Sequence, residues 1–198
     1  MGTGFPNAPS PLESGTPGIQ MRPLAMRDAE AWYRYLSRDC VVQHTSWQIS
    51  SPTDLGSLIH TYNRESGSAI RFGLFQNGTS LMGSIGFNEI SRQHRRAEIA
   101  FDLDDAYWGC GIMTRACAAV SAWGMESEGF VRIQATILDS NTRSSRVVEK
   151  CEYFEEGVLR SYRIVSGKPR NFRLFSLVRG VGKSRRQVCI ESTDRPKG

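Results

Sequence analysis

Apolar and polar positions divide the chain into segments of different period. Ile19-Gln20-Met21-Arg22 alternates as a short strand does, and Asp28 to Leu36 then places Trp32, Tyr35 and Leu36 at helical spacing. A second helix is predicted from Asp54 to Ser66, with Leu55, Leu58, Ile59 and Tyr62 on one face and Pro52 just ahead of it. Two extended runs follow, Ile70 to Gln76 and Thr79 to Glu89, joined at Asn77-Gly78, a dipeptide that tolerates the positive φ of a tight hairpin turn. After the polar link Ser91 to Arg95, a third run, Arg96 to Asp104, sets Glu98, Ala100 and Asp102 on one face and Ile99, Phe101 and Leu103 on the other. These three runs predict an antiparallel meander.

The period then returns to that of a helix. Ile112 to Glu126 carries Ile112, Cys117, Ala119, Val120 and Trp123 at helical spacing, and Gly129 supplies a stop past its end. Val131 to Leu138 is expected as a buried strand and Asn141 to Lys150 as a helix. Tyr153 to Val165 and Arg170 to Arg179 are expected as a closing strand pair around Ser166-Gly167-Lys168-Pro169. The resulting order, βααβββαβαββ, is that of an α/β domain with a mixed sheet, spanning residues 19–179.

Composition adds the flanks. Residues 1–18 hold Pro6, Pro9, Pro11 and Pro17 among Gly and Ser, too little apolar surface to offset chain ordering, so a flexible leader is expected. The formal charge of +5 owes much to Lys183-Ser184-Arg185-Arg186, so residues 180–198 form a basic tail. Such a tail is either simply solvated or attracts a polyanion such as a ribosome or another RNA. Hydrophobic residues at 39% and charged residues at 23% suit a globular domain and exclude disorder throughout. No apolar run is long enough to span a bilayer, and the first residues lack the basic start and apolar stretch of a signal peptide. A cytoplasmic protein with no membrane partner is therefore expected. Five scattered cysteines without a CxxC or a histidine pair predict reduced thiols and no metal site.

One segment points to chemistry. A strand followed by the turn Trp108-Gly109-Cys110-Gly111 and a helix is a device for anions, because the first N–H groups of the helix have no internal partner and its dipole favours negative charge. Glycine at 109 and 111 would let phosphates approach the backbone, although a plain tight turn also satisfies the pattern. Gly111 is followed by Ile112-Met113-Thr114, which is neither the Gly-Lys-Ser/Thr of a Walker loop nor the third glycine of a dinucleotide loop.

These residues resemble the GNAT acetyltransferases, and within them the RimJ/RimL-like branch. The likeness rests on Ala97 to Phe101 with Tyr107 to Ala116, on Asn141 to Tyr153, and on Met21-Arg22-Pro23-Leu24 with Asp28, in the family's order and spacing. Trp108 is usual for the branch, whereas Met113 stands where the superfamily has Gly or Ala, and Glu152 where it has Gly. A glutamate at 152 would be strained if the backbone there keeps a positive φ. The resemblance implies a GNAT-like fold and acetyl-CoA as cosubstrate. Its pyrophosphate would lie on Trp108, Gly109, Cys110, Gly111, Ile112, Met113 and Thr114. Its acetyl carbonyl would meet backbone N–H groups in the strand of Ile99, Ala100 and Phe101, and Asn141 and Ser144 would contact the pantetheine arm and leaving sulfur. It also implies direct attack by an amine in a ternary complex.

Direct attack needs a neutral amine and a proton for the departing thiolate. Glu98 is the first candidate for the base and Glu89 the reserve; the competing reading of Glu98 is a surface carboxylate paired with Arg95 or Arg96. His44, His60 and His94 are isolated. The tyrosine many superfamily members use as acid falls on Val148, leaving Ser144, which could equally be a helix-cap residue, as could Asn141. Cys110 and Cys117 lack a histidine base and are discounted as nucleophiles. Trp47 and residues 162–170 would line the acceptor cleft, with Asp102, Asp104, Glu89 or Glu155 available as acidic walls. The acceptor is expected to be a primary amine, either a protein N-terminal α-amine or a small molecule such as a polyamine or aminoglycoside. A catalytically silent acetyl-CoA sensor is the competing class, and the chain is expected as monomer or homodimer.

Overall fold

The computed structural model describes residues 12–180 apart from 44, 46, 48 and 64–66. The leader up to residue 11, His44 and the tail from residue 181 lie outside the described residues. The strands are β1 (Leu12–Glu13), β2 (Ile19–Pro23), β3 (Ile70–Gln76), β4 (Ser80–Ser91), β5 (Arg96–Leu103), β6 (Arg132–Leu138), β7 (Phe154–Val165) and β8 (Lys168–Val178). The helices are α1 (Ala29–Leu36), α2 (Asp39–Val42), α3 (Pro52–Tyr62), α4 (Ile112–Glu126) and α5 (Thr142–Lys150). All strands join one sheet in the order β1-β2-β3-β4-β5-β6-β8-β7. Every neighbouring pair is antiparallel except β5 with β6, which the crossover helix α4 makes parallel.

The predicted elements are present, with differences at their ends and, as short additions, β1, α2 and single 3-10 turns at Met26–Asp28 and Asp105–Tyr107. Asn77 and Gly78 take φ 51 and 75, as the hairpin between β3 and β4 requires. The helix expected from Asp54 begins at Pro52, because the Asp54 carboxylate accepts the N–H groups of Ser50 at 2.8 Å and Ser51 at 3.0 Å. It ends at Tyr62, and the expected end at Ser66 lies outside the described residues. α2, a single turn, is too short to show a period. The closing hairpin turns on Ser166 and Gly167 alone, at φ 50 and 74, so β8 starts at Lys168. Pro169 is tolerated there because β6 pairs with β8 only from Phe172 onward. Within the composition-defined leader, Leu12–Glu13 pairs with Gln20 and Met21, and the Ser14 hydroxyl donates to the Ile19 carbonyl at 2.7 Å. Glu152 does take a positive φ, 66, just beyond α5.

The sheet separates two apolar clusters. On one face Phe72, Ile85, Phe87 and Ile99 pack with Met113, Cys117, Val120 and Trp123 of α4. On the other, Trp32, Tyr35, Leu55 and Ile59 bring α1 and α3 together over Leu24 and Phe75. Into this second face the sequence places a charge. Arg71 on β3 is 1% exposed and lies in register with Gly86 on β4 and Ala100 on β5, small residues over which its side chain passes. A Cβ on Gly86 would come within 2.8 Å of Arg71 Cα and 2.0 Å of the Ile70 carbonyl oxygen. Arg71 donates to Asp102 Oδ2 at 2.5 Å, to Ser84 Oγ at 2.9 Å, to Asn88 Oδ1 at 3.2 Å and to the Ala100 carbonyl at 3.0 Å. Asp102 also accepts from Ser84 at 2.6 Å, from Trp32 Nε1 at 3.1 Å and from the Tyr35 hydroxyl. Burial, and next the Asp102 charge, hold the Tyr35 hydroxyl well above the usual tyrosine range, so it remains a donor.

A buried pair with this many partners costs little while complete and a great deal when halved. Asp102→Ala is expected to destabilise the fold by about 3–5 kcal/mol. The double variant Arg71→Met with Asp102→Leu should lose clearly less than the sum of its single changes. Urea unfolding of the four proteins measures the coupling, and additive losses would contradict it.

Candidate functional site

The parallel pairing of β5 with β6 is brief. It covers Arg96 to Glu98 against Arg132 to Gln134 and then stops, although β5 continues to Leu103 and β6 to Leu138. On its other side β5 stays paired with β4 as far as Leu103. One extra residue on β4, Asn88, interrupts that register between Phe87, opposite Ile99, and Glu89, opposite Glu98. Such a bulge bends its strand and increases local twist, and it stands level with the point where β5 leaves β6. The strands thus open a wedge whose apex is Glu98.

Two joined clefts fill the wedge. The larger, about 380 Å³, runs from Phe101 and Leu103 past Trp108, Gly109 and Gly111 to Asn141 and Ser144. The smaller, about 100 Å³, is bounded by Glu98, Ile99, Ala100, Thr136, Arg163 and Trp47. Thr45, Phe101, Asp102, Asn141 and Ser144 border both. The predicted strand, turn and helix residues are therefore brought to one opening, apart from Cys110, which is exposed and borders neither cleft.

At the wide end, Trp108 donates its indole N–H to the Leu103 carbonyl at 2.9 Å, and Arg143 lies 4.6 Å over its ring. Gly109 and Gly111 take φ 80 and 72, and Gly111 is the left-handed residue from which α4 starts, with no side chain capping it. The first N–H groups of α4 are left for whatever enters the cleft. Glycine is thus required first by the backbone conformation. At Gly109 a Cβ would meet no protein atom within 4 Å, so this position faces open space. The Ile112 and Met113 side chains are buried in the core, so these residues offer the cleft mainly backbone. Arg115 secures the turn, donating to the Cys110 carbonyl at 3.1 Å and to Thr16 Oγ1 at 2.7 Å. Arg143, Arg146 and Lys150 of α5 line the same cleft. Among the described residues its only carboxylate, Asp102, is held by Arg71, so the walls suit an anion.

At the narrow end Glu98 is 4% exposed, which corrects the reading of a surface carboxylate paired with Arg95 or Arg96. Its Oε1 accepts from Thr136 Oγ1 at 2.8 Å and Arg163 Nη2 at 3.2 Å, and its Oε2 from Gln134 Nε2 at 3.3 Å. Arg95 donates instead to the Gly129 carbonyl. Glu89, the reserve base, is exposed and borders neither cleft, although it stands opposite Glu98 in the ladder. The acidic walls are likewise corrected. Asp102 belongs to the buried network, Asp104 binds Arg38 at 2.9 Å, and Glu155 binds Arg173 at 2.6 Å.

On α5, Asn141 Oδ1 accepts the Ser144 N–H at 3.1 Å and so caps the helix, while both residues border the clefts. Val148 is fully buried in the α4-side core, away from the wedge. His60 and His94 are exposed and line neither cleft. The Cys117 thiol is buried and pushed well above the ordinary range by its hydrogen bond with Cys151 and by burial, which disfavours a nucleophilic thiolate. Trp47 and Arg163, the latter within the predicted stretch 162–170, line the narrow cleft, whereas sequence reasoning missed Arg71, Gln134 and Thr136. For the β6 pair a signal existed: Gln134 and Thr136 alternate with Ile133, Ala135 and Ile137, so one face of that strand is polar.

The profile of the acetyltransferase (GNAT) domain matches residues 19–153. The uncharacterized N-acetyltransferase YoaA of Bacillus subtilis (strain 168) is 30% identical over 168 residues, covering 83% of this chain and 95% of the relative. Among solved structures, Mycobacterium smegmatis RimJ in complex with CoA-disulfide superposes with a TM-score of 0.74 at 25% identity, covering 81% of this chain and 82% of that one. The ribosomal-protein-S5-alanine acetyltransferase from Vibrio fischeri superposes with a TM-score of 0.74 at 20% identity, over 85% and 97% of the two chains.

Gly109→Ala separates the two demands on the turn. The positive φ should cost about 1–2 kcal/mol of stability, measurable by thermal unfolding. Affinity for acetyl-CoA in calorimetric titration should fall by roughly tenfold or more, as expected when a charge-assisted backbone hydrogen bond is lost. Unchanged affinity would remove the turn from the site.

Proposed function

Because the chain belongs to the GNAT acetyltransferase family, and so is an acetyl-CoA-dependent N-acetyltransferase, we propose that it acetylates the N-terminal α-amine of a polypeptide by direct attack in a ternary complex. The observation that carries the reading is the wedge between β5 and β6, with an uncapped helix start at its wide end and a buried carboxylate at its apex. A polypeptide acceptor is favoured by what lies outside the apex. A further cleft of about 340 Å³, lined by Val42, Thr45, Trp47, Ile164 and Val165, shares Thr45 and Trp47 with the narrow cleft, giving an extended entry between the α2 loop and the β7–β8 tip. The Vibrio fischeri structure is that of an enzyme named for a ribosomal-protein alanine, which agrees with such an acceptor.

In this reading the residues divide the work along the wedge. Gly109, Gly111 and the first N–H groups of α4 hold the pyrophosphate, with Arg143, Arg146 and Lys150 opposite. Backbone along Ile99, Ala100 and Phe101, which has no strand partner on the wedge side, lies beside the pantetheine arm and orients the thioester carbonyl. Glu98 takes one proton from the entering ammonium, directly or through water. The neutral amine then forms the C–N bond as the C–S bond breaks, and the second amine proton ends on the thiolate, with Ser144 donating a hydrogen bond to the sulfur.

An α-amine titrates near pH 8, which fixes the sign of the pH effect. Below that value the acceptor arrives protonated and needs a base. Glu98→Gln is expected to lower kcat by on the order of 100-fold at pH 6–7, with the deficit shrinking as pH rises past the amine pKa. Steady-state rates on N-terminal peptides against pH test this. A deficit that is the same at every pH would remove Glu98 as base, and turnover of small amines but no peptide would replace the acceptor class.

A further inference from the structure

Arg163 reaches the apex after an irregularity in its own strand. β7 and β8 are in register at Leu159 with Phe172 and again at Arg163 with Arg170, but the residues between have no matching partners. In this excursion Ser161 takes φ 49, a left-handed conformation that non-glycine residues rarely adopt, and its N–H is held by Asn171 Oδ1 at 2.9 Å. Arg163 follows with its guanidinium 5.0 Å from the Tyr162 ring and 5.3 Å from the Phe172 ring, its Nη2 on Glu98 Oε1. The aromatic pair and the strained turn hold a cation at the acceptor end, one-third exposed beside a carboxylate that is almost fully buried.

That arrangement is awkward for an acceptor whose only charge is its ammonium. The amine would approach a carboxylate that already accepts from Thr136, Gln134 and Arg163, with the guanidinium beside it as a like charge. An acceptor that also carries a carboxylate near its amine removes both obstacles. Its carboxylate can pair with the guanidinium, a fork-to-carboxylate geometry arginine favours, and Glu98 Oε1 regains a lone pair for the amine proton. The surrounding arm agrees in sign. Residues 160–170 contain Arg160, Arg163, Lys168 and Arg170 and no Asp or Glu, and Arg160 and Lys168 are exposed. A negatively charged segment would be drawn toward this arm.

We propose that the acceptor is an acidic polypeptide N-terminus and that Arg163 reads a carboxylate on one of its first residues, releasing Glu98 to act as it does so. Arg163 is then a specificity and positioning residue whose effect reaches kcat as well as KM. The inference rests on the peptide-acceptor reading above.

The test is steady-state kinetics of the full chain with acetyl-CoA and peptides that differ only at the second residue, Asp, Asn or Lys, for the wild type, Arg163→Ala and Arg163→Gln. The wild type should prefer Asp over Asn by about tenfold in kcat/KM, as one charge-assisted contact would give, with Lys poorer still and part of the difference in kcat. Raising salt should weaken the preference. In both variants the Asp-to-Asn ratio should fall to about one, in kcat as well as in kcat/KM. Peptides acetylated without a charge preference, or a preference that survives in both variants, would overturn this proposal alone. If no peptide is acetylated, the proposal falls together with the peptide-acceptor reading.

Discussion

The pairing of Arg71 with Asp102 is the constraint on which the wedge and the helices beside it are built. One guanidinium, buried under α1 and α3, ties β3 to Ser84 and Asn88 of β4 and to Ala100 and Asp102 of β5, while Trp32 and Tyr35 of α1 fasten onto the same carboxylate. Its desolvation is offset only because nearly every polar atom around it has a partner, so the network is sensitive to removal of any member. It also fixes where β5 lies when that strand parts from β6, and Asn88, the bulge residue beside the parting, is one of its acceptors. Packing of the helices and opening of the wedge are thus held by one set of hydrogen bonds.

The two ends of the wedge use opposite electrostatic strategies. At the wide end, backbone N–H groups and side chains of α5 present positive charge to a cleft whose single carboxylate among the described residues is neutralised, which suits a phosphate-bearing cosubstrate. At the narrow end a carboxylate is kept in place by donors from β6 and β7, strands distant from it in the chain. Ser144 and Asn141 stand where the ends meet, and their position depends on the cap that starts α5. The wide cleft, the buried carboxylate and the outer cleft therefore lie in sequence along one gap.

Much of this was legible from local pattern. The helix at 112–126, the hairpin at Asn77-Gly78 and the glycine turn depend on spacing and on residues with special backbone freedom, which a single sequence displays directly. What was hidden depends on register between distant strands. Arg71 looks like an outward residue of a half-buried strand until Gly86 and Ala100 are seen beside it, small enough to let its side chain cross the sheet. Glu98 was picked out as a chemical group, but its partners Thr136, Gln134 and Arg163 come from elements whose alignment no local period specifies. The single turn α2 and the two-residue β1 are too short to leave a period at all.

The excursion before Arg163 has a consequence for solubility as well as for the acceptor end. β7 is an outer strand, and Phe154, Val158, Tyr162 and Ile164 are exposed along it, the composition from which strand-by-strand association between molecules begins. A straight, regular edge of that kind would offer neighbouring chains a continuous row of unpaired backbone groups. The left-handed Ser161 breaks the row midway, with Arg160 just before it and Arg163 just beyond it among the apolar side chains. Smoothing this strand for better internal pairing would therefore turn a protected rim into a template for aggregation.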